Sequence, residues 1–491
     1  MQKVSSLLDS QANIIPDSIF VSDFNNKYTY KEFNNIVNQC CNFFIDKNLK
    51  VNDVVSICLS NRVEFLILYF ACLRVGCIVN LISTNDPELQ IINKINFIKS
   101  SILFFDDSLK FKNKPENFFS FVDLNFIKNL NNYSNFYEIF NNKNLEDTVA
   151  YYYSSGTTNA SKIICYSEKN IISGMLSSYN SGIYSSIKKH LCFLPLFHTA
   201  ALRYSVKCAL INGAEVMIVR NFWSIKDNIW EIVKKYNINF FQLVPSILNI
   251  ILNNPRTNFK YNYSNFINFC GCGSSFLSPD QQIEFEELFN IKLLNLYGLS
   301  EIGTSHYEDP NNRKIGSIGK NFKEYEIKIL DQNYLDCKIN HPGQFAIKGD
   351  PVFHKYYSSE DYNKIFFNGF FLTGDYGFID DDGFYFFVDR TKDLIIKGGI
   401  NIAPNEIDNV MIQYKGVIES ASIPIKDKFF GEIPMTFIVI DDNTFDDISN
   451  LLLFCKKLIG DYNLPNKIKI LKKLPKGPSG KILKRELKKF E

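Results

Sequence analysis

The stretch VAYYYSSGTTNASKIICYS, Val149 to Ser167, decides how this chain is read. Its aromatic start reads as a strand and Lys162–Tyr166 as a second strand, with the next helix starting only near Ser167. Between them lies a small, hydroxyl-rich loop, Ser154 to Lys162. A Walker-type phosphate loop needs G-x-x-x-x-G-K-[ST] between a strand and a helix. Here Gly156 is followed five residues later by Ser161, then Lys162 and Ile163, so the second glycine and the magnesium-binding hydroxyl are both missing. The loop therefore joins two strands as a hairpin, with no helix N-terminus to hold phosphate. It still offers backbone N–H groups and the hydroxyls of Ser154, Ser155, Thr157 and Thr158 to an anion. A plain polar turn fits the segment equally well.

Outward from this hairpin, from about Tyr28 to Phe240, helical stretches such as VEFLILYFACLRVG alternate with short apolar strands such as VVSICL and EVMIV. That alternation predicts an α/β architecture with largely parallel sheets. In LSPDQQIEFEELF a helix starts with Ser278 as N-cap, Pro279 in the first turn and Gln281 completing a capping box. After about Asn340 the text turns strand-rich and aromatic, and the last hundred residues read as a smaller α/β unit. There NEIDNVMIQY is a helix and MTFIVID a strand, and a polar stretch at Asp389–Asp393 marks a boundary.

Composition narrows the class of function. A chain of 491 residues with 46% hydrophobic and 22% charged residues is globular and holds more than one domain. Lys plus Arg number 54 and Asp plus Glu 52, so nothing calls for nucleic acid as the main partner. The twelve cysteines include no C-x-x-C pair and read as reduced core residues. The most apolar stretch, Val63 to Ile82, carries Glu64 and Arg74, and its longest uncharged run is nine residues. A membrane span needs about twenty, so this is a buried helix and strand in a protein expected to be soluble and cytoplasmic.

Five further blocks settle what the hairpin belongs to. LPLFHTAAL (Leu194–Leu202), NLYGLSE (Asn295–Glu301), FLTGDYG (Phe371–Gly377), DRTKDLIIKGGINIAPNEID (Asp389–Asp408) and LPKGPSGKILKREL (Leu474–Leu487) follow in order. With the loop, this set resembles the adenylate-forming, AMP-binding superfamily of acyl-CoA synthetases, 4-coumarate–CoA ligases, firefly-type luciferases and peptide-synthetase adenylation domains. The resemblance runs from about Lys27 to the C-terminus. It implies an α/β fold: a large N-terminal domain of parallel and mixed sheets with a β-barrel-like subdomain, then a small mobile C-terminal α+β domain. The expected domains are 1–390 and 393–491, with a hinge near Lys392.

The resemblance also implies a chemistry: ATP and Mg²⁺ activate a carboxylic acid, of fatty or aryl type, as an acyl-adenylate, and coenzyme A then takes the acyl group. A stand-alone enzyme loading the phosphopantetheine of a carrier protein needs the same residues, and a degenerate binding protein would lack them. Carried over block by block, Ser154, Ser155, Gly156, Thr157, Thr158 and Lys162 grip the β- and γ-phosphates. Glu301, with Thr158, holds the metal. Tyr297 offers a face to adenine, Gly298 lets the backbone come close, and Ser300 sits beside the α-phosphate. Gly273 and Ser274 border adenine and the acid. Asp375 accepts from the ribose hydroxyls and Arg390 reaches ribose and phosphates. Gly398 and Gly399 line a pantetheine tunnel. Lys481 bridges the acid's carboxylate and the α-phosphate; the Ser479–Gly480 turn singles it out among ten Lys and Arg between Lys467 and Lys489.

His198 falls at the acid pocket. Amino-acid-activating members place an aspartate where this chain has Thr199, so an amino acid substrate is disfavoured. Thr199, Ala200 and Ala201 leave a small, mostly apolar wall suited to an aliphatic or aromatic acid. Asn159 and Ser161 stand where the family loop has Gly and Pro, which alters how that loop opens and closes.

Overall fold

The computed structural model of the chain describes every residue except 1–2, 110, 112–118, 124, 139–141, 154–161, 258, 359–364, 399 and 478–481. Strands Thr148–Tyr153 and Ile163–Ser167 pair antiparallel, with Tyr151 opposite Cys165 and Tyr153 opposite Ile163. The hairpin read from the sequence is therefore present. The helix Glu168–Asn180 starts behind it, where Ser167 and Asn170 form a capping box.

This hairpin belongs to a seven-stranded sheet in the order Lys355–Tyr356, Ile163–Ser167, Thr148–Tyr153, Ile78–Leu81, Val54–Cys58, Ile102–Phe105, Phe119–Phe121. From Thr148–Tyr153 onward every pairing is parallel. A nine-stranded sheet is parallel from Lys292–Leu299 through Phe269–Gly273, Phe240–Leu243, Lys189–Cys192 and Glu215–Ile218 to Ile19–Ser22, with antiparallel strands at both ends. All thirteen residues of the helix Val63–Val75 are buried, as a helix apolar on every side requires. Arg74, fully buried, survives there because Asn34, Asn38, Asp9 and the Ser5 carbonyl accept from its Nη groups. Among the described residues, no helix is long and apolar enough to cross a membrane. All twelve cysteines are free thiols and eleven are buried.

Two expectations need correction. The third sheet is open, not a barrel. Phe370–Ile379 pairs with Gly343–Lys348 along one edge; along the other it pairs with Phe366–Phe367 at its start and Tyr385–Arg390 at its end. Glu326–Leu330 then extends the Gly343 side, and no described strand joins it to the far edge. The helix Pro279–Phe289 does start at Ser278, but the serine side chain caps nothing. Gln281 turns instead to Asn249 Oδ1 at 3.5 Å, so the capping box does not form.

The last sheet joins Ile400–Ile402, Ile395–Lys397, Gly431–Ile440 and Val417–Asp427, with Lys467–Ile470 parallel to Gly431–Ile440. Helices Pro404–Gln413 and Ile448–Ile459 cover it around Ile395, Ile407, Met411, Ile438 and Leu451. The Asn405 N–H donates to Asp389 Oδ2 at 2.9 Å, so the start of the first helix is seated on the end of Tyr385–Arg390.

Candidate active site

The hairpin of Lys292–Leu299 and Gly303–Tyr307 carries Tyr297, Gly298, Ser300 and Glu301 at the edge of the large sheet. It closes tightly: a Cβ on Gly298 would lie 1.9 Å from the Gly303 carbonyl oxygen. That approach, with a bulge between Tyr297 and Gly298, pushes Ser300–Ile302 out as the turn. Glu301 is half-buried there, and its Oε1 accepts from the Tyr356 hydroxyl at 3.0 Å. Lys162, just before the strand Ile163–Ser167, lies 4.8 Å from the centre of the same Tyr356 ring. Burial pushes the Glu301 carboxyl above the usual range, Tyr356 and Arg390 pull it back, and Asp375 adds to the rise.

Asp375 and Arg390 stand directly opposite each other in adjacent strands, and Asp375 Oδ1 lies 2.6 Å from Arg390 Nε. The Tyr297 hydroxyl donates to Asp375 Oδ2, also at 2.6 Å. The array is rigid. Thr373 Oγ1 takes the Asp375 N–H, and the Tyr297 ring packs edge-on against Phe345 and His306.

Tyr297, Gly298, Asp375, Arg390, Ser274 and Lys392 all line one cleft of about 330 Å³. Gly273 ends the strand below it, where a Cβ would meet the Leu296 carbonyl oxygen at 2.3 Å. Ser274 then turns with a left-handed φ of 69°. The opposite wall comes from the small sheet and its helices, through Asn405, Asp408, Lys476 and Lys484. Lys484 Nζ reaches Asp408 Oδ2 at 3.3 Å, and its charge counters the rise that burial imposes on Asp389.

The other predicted residues fall elsewhere. His198 precedes the short helix Thr199–Ala201, packs on the Phe197 ring, and is held below the usual imidazole range by burial. Gly398 turns between Ile395–Lys397 and Ile400–Ile402 with φ 55°, a Cβ there being 3.1 Å from the Tyr462 hydroxyl. Ser154, Ser155, Gly156, Thr157, Thr158, Gly399 and Lys481 lie outside the described residues. Tyr356, Asp408 and Lys484 were missed. Asp408 and Lys484 sit inside quoted blocks, but nothing local marks them as partners. Tyr356 has no sequence signal.

Residues 8–357 match the family model for the AMP-binding enzyme, and residues 406–481 that for the AMP-binding enzyme C-terminal domain. The chain belongs to the AMP-binding enzyme family. It is 28% identical to a sulfoacetate–CoA ligase of Cupriavidus necator over 340 residues, which span 68% of this chain and 65% of that one. It is 32% identical to a probable CoA ligase of Humulus lupulus, over 70% of this chain and 64% of that protein. Among solved structures, the o-succinylbenzoate CoA synthetase of Bacillus subtilis, in complex with its acyl-adenylate intermediate, superposes with a TM-score of 0.87 at 25% identity, over 99% of both chains. ATP-bound MatB of Rhodopseudomonas palustris shares the fold, with a TM-score of 0.91 at 22% identity over 100% of this chain and 99% of that one.

Proposed function

We propose that the chain activates a carboxylic acid with ATP and passes the acyl group to coenzyme A. A carboxylate oxygen attacks the α-phosphorus, the bond to the pyrophosphate oxygen breaks, and pyrophosphate leaves with the electron pair. The thiolate sulfur of coenzyme A then attacks the acyl carbon and AMP departs. One observation carries this reading: Tyr297, Asp375 and Arg390, far apart in the chain, meet as one bonded array on a cleft beside Glu301. Coenzyme A is chosen as acceptor because the relatives above are CoA ligases by name.

Each Asp375 oxygen has a lone pair left for a ribose hydroxyl, and Arg390 keeps its terminal N–H groups for phosphate. Glu301 fits Mg²⁺, which binds through one or two carboxylates together with substrate phosphates; Glu301 is a desolvated carboxylate with one oxygen engaged by Tyr356. Thr158 would share that ion, which when bound offsets charge on the phosphates. Ser154, Ser155, Gly156, Thr157 and Lys162 would hold the leaving pyrophosphate. Gly298 and Ser300 would border the α-phosphate, Gly273 and Ser274 the adenine, His198 the acid, and Gly398 and Gly399 the pantetheine arm. We place the domains at 1–390 and 393–491 with the hinge at Lys392; the change of sheet between Tyr385–Arg390 and Ile395–Lys397 supports this.

Acid-dependent exchange of pyrophosphate into ATP, followed by CoA-dependent AMP release, tests the reaction. No exchange with any acid of a broad panel refutes it. Lys481→Ala should cost about 10²–10³-fold in adenylation, as loss of one transition-state donor does. It should spare thioester formation from preformed acyl-adenylate, and equal loss in both half-reactions overturns the assignment.

A further inference from the structure

Behind the Glu301 hairpin lies a second, smaller cavity of about 30 Å³. The helix that follows His198 continues as a π-helical segment, Leu202–Lys207, and π turns recur at functional sites. It sends two cations into the cavity, Arg203 and Lys207, with Thr199 a turn before them. The Arg203 guanidinium fills space that two glycines leave open. A Cβ on Gly303 would lie 1.5 Å from its Nη1, and one on Gly174 3.1 Å from its Nη2. Its acceptors are all neutral: the carbonyls of Gly174 and Thr304 at 3.3 and 3.2 Å and the Tyr325 hydroxyl at 3.3 Å. Its Nε has no acceptor, and neither has the hydroxyl of Tyr166, a residue 6% exposed on the cavity wall.

Among the described residues no carboxylate forms an ion pair with Arg203 or Lys207. Glu168, whose field reaches Lys207, already accepts from the Val4 N–H at 2.6 Å. Burial, with the neighbouring Arg203 charge, pulls Lys207 down to about 7. A buried cation without a counter-charge is costly unless a ligand brings one. Thr199, which follows His198, and Gly303, which closes the Glu301 turn, line the cavity, so it adjoins the segments assigned above to the acid and to the metal. That space holds little more than a water-sized group, enough for a small anionic head and too small for an aryl ring or a long alkyl tail.

We infer that the acid this chain activates is short and carries a second anionic group, carboxylate or sulfonate, which Arg203 holds with Lys207 and the Tyr166 hydroxyl. The inference rests on the adenylation reading, and names its substrate class. It replaces the aliphatic or aryl acid expected from Thr199–Ala201 alone.

The test is pyrophosphate exchange by the full chain with succinate, 3-sulfopropionate and neutral-tailed butyrate. Either dianion should exceed butyrate in kcat/KM by about 10²-fold, the scale of a buried, hydrogen-bonded charge pair. Succinate and sulfopropionate separate the two head groups. In Arg203→Met that ratio should collapse, and Arg203→Lys should restore part of it. Tyr166→Phe, which keeps the Arg203 contacts, should lower it about fivefold. Exchange with butyrate but with neither dianion overturns the inference and leaves adenylation standing; no exchange with any acid overturns both. An unchanged ratio in folded Arg203→Met shows Arg203 to be a structural clamp. Should that variant not fold, an unchanged ratio in Tyr166→Phe is equally fatal.

Discussion

Asp375→Asn probes the centre of the proposed nucleotide array. The carboxylate takes the Tyr297 hydroxyl on one oxygen and forms an ion pair with Arg390 Nε through the other, both at 2.6 Å. An amide has one acceptor oxygen and one donor nitrogen. With its oxygen towards Tyr297 it keeps that bond in neutral form and sets N–H against N–H at Arg390. Hydrogen bonds to charged groups are worth about 1.5–3 kcal/mol and neutral ones about 1, so the change removes about 1 kcal/mol at Tyr297, and loss of the largely buried ion pair removes about 1.5–3 kcal/mol at Arg390. The Arg390 side chain is 29% exposed, so it recovers part of its share by turning to water. The net loss is about 2–3 kcal/mol. The same substitution removes the charge that ribose hydroxyls would meet and lets Arg390 leave the cleft, so the loss should appear in nucleotide affinity. At about 1.4 kcal/mol per decade, AMP should bind about 30- to 150-fold more weakly. Titration calorimetry with AMP measures this, with circular dichroism confirming the fold. An AMP Kd within threefold of the unsubstituted chain would refute the reasoning, because the array would then be scaffolding and not a nucleotide site.

Glu308 is fully buried, and burial pushes its carboxyl up to about 7 from an ordinary 4.5, against the pull of the Asn295 N–H and Gln282. Its stabilising contribution is therefore complete below about pH 4.5 and is lost as pH rises to about 7, on the order of 3 kcal/mol. Thermal unfolding midpoints should fall over that window, and Glu308→Gln should flatten the slope; an unchanged slope counts against it. Gly298→Ala would set a methyl 1.9 Å from the Gly303 carbonyl oxygen, so the Glu301 turn must open at a cost of about 1–3 kcal/mol. Pyrophosphate exchange should drop with the unfolding midpoint, and normal exchange would show the turn to be irrelevant. Lys484→Met removes the cation that pairs with Asp408 within the small unit and whose charge reaches Asp389 on the large one, at a cost of about 1–3 kcal/mol after allowing for partial exposure. Limited proteolysis between Asp389 and Ile395 should speed up, and an unchanged cleavage rate would mean that the Lys484 charge beside Asp389 does not hold the small unit in place.

What could be read in the sequence follows from the range over which each interaction acts. The Thr148–Ser167 hairpin was legible because its signals are local: aromatic and β-branched runs on both sides, and no helix start until the Ser167–Asn170 capping box. The buried helix Val63–Val75 was legible because an apolar run with two charges has few other destinations. The barrel-like closure implied by the resemblance does not form among the described residues, and the aromatic strands announce only that they pair and not with whom; Phe370–Ile379 divides one edge between two partners. Motif residues were legible singly, whereas Tyr297, Asp375 and Arg390 become one device only when a strand and a hairpin place them in contact. Arg203 was hidden for a different reason. Four residues apart, Arg203 and Lys207 share one helix face and read as charges bound for solvent, but in the fold that face is turned inward onto the cavity. The same five-residue turn that holds Glu301 beside the nucleotide cleft brings Gly303 against Arg203. A ligand anion drawing on Arg203 would therefore pull on the turn that carries Glu301. On the proposed reading, acid selectivity and nucleotide chemistry would be coupled through Leu299–Gly303, and substitutions at Arg203 should change nucleotide turnover and acid preference together.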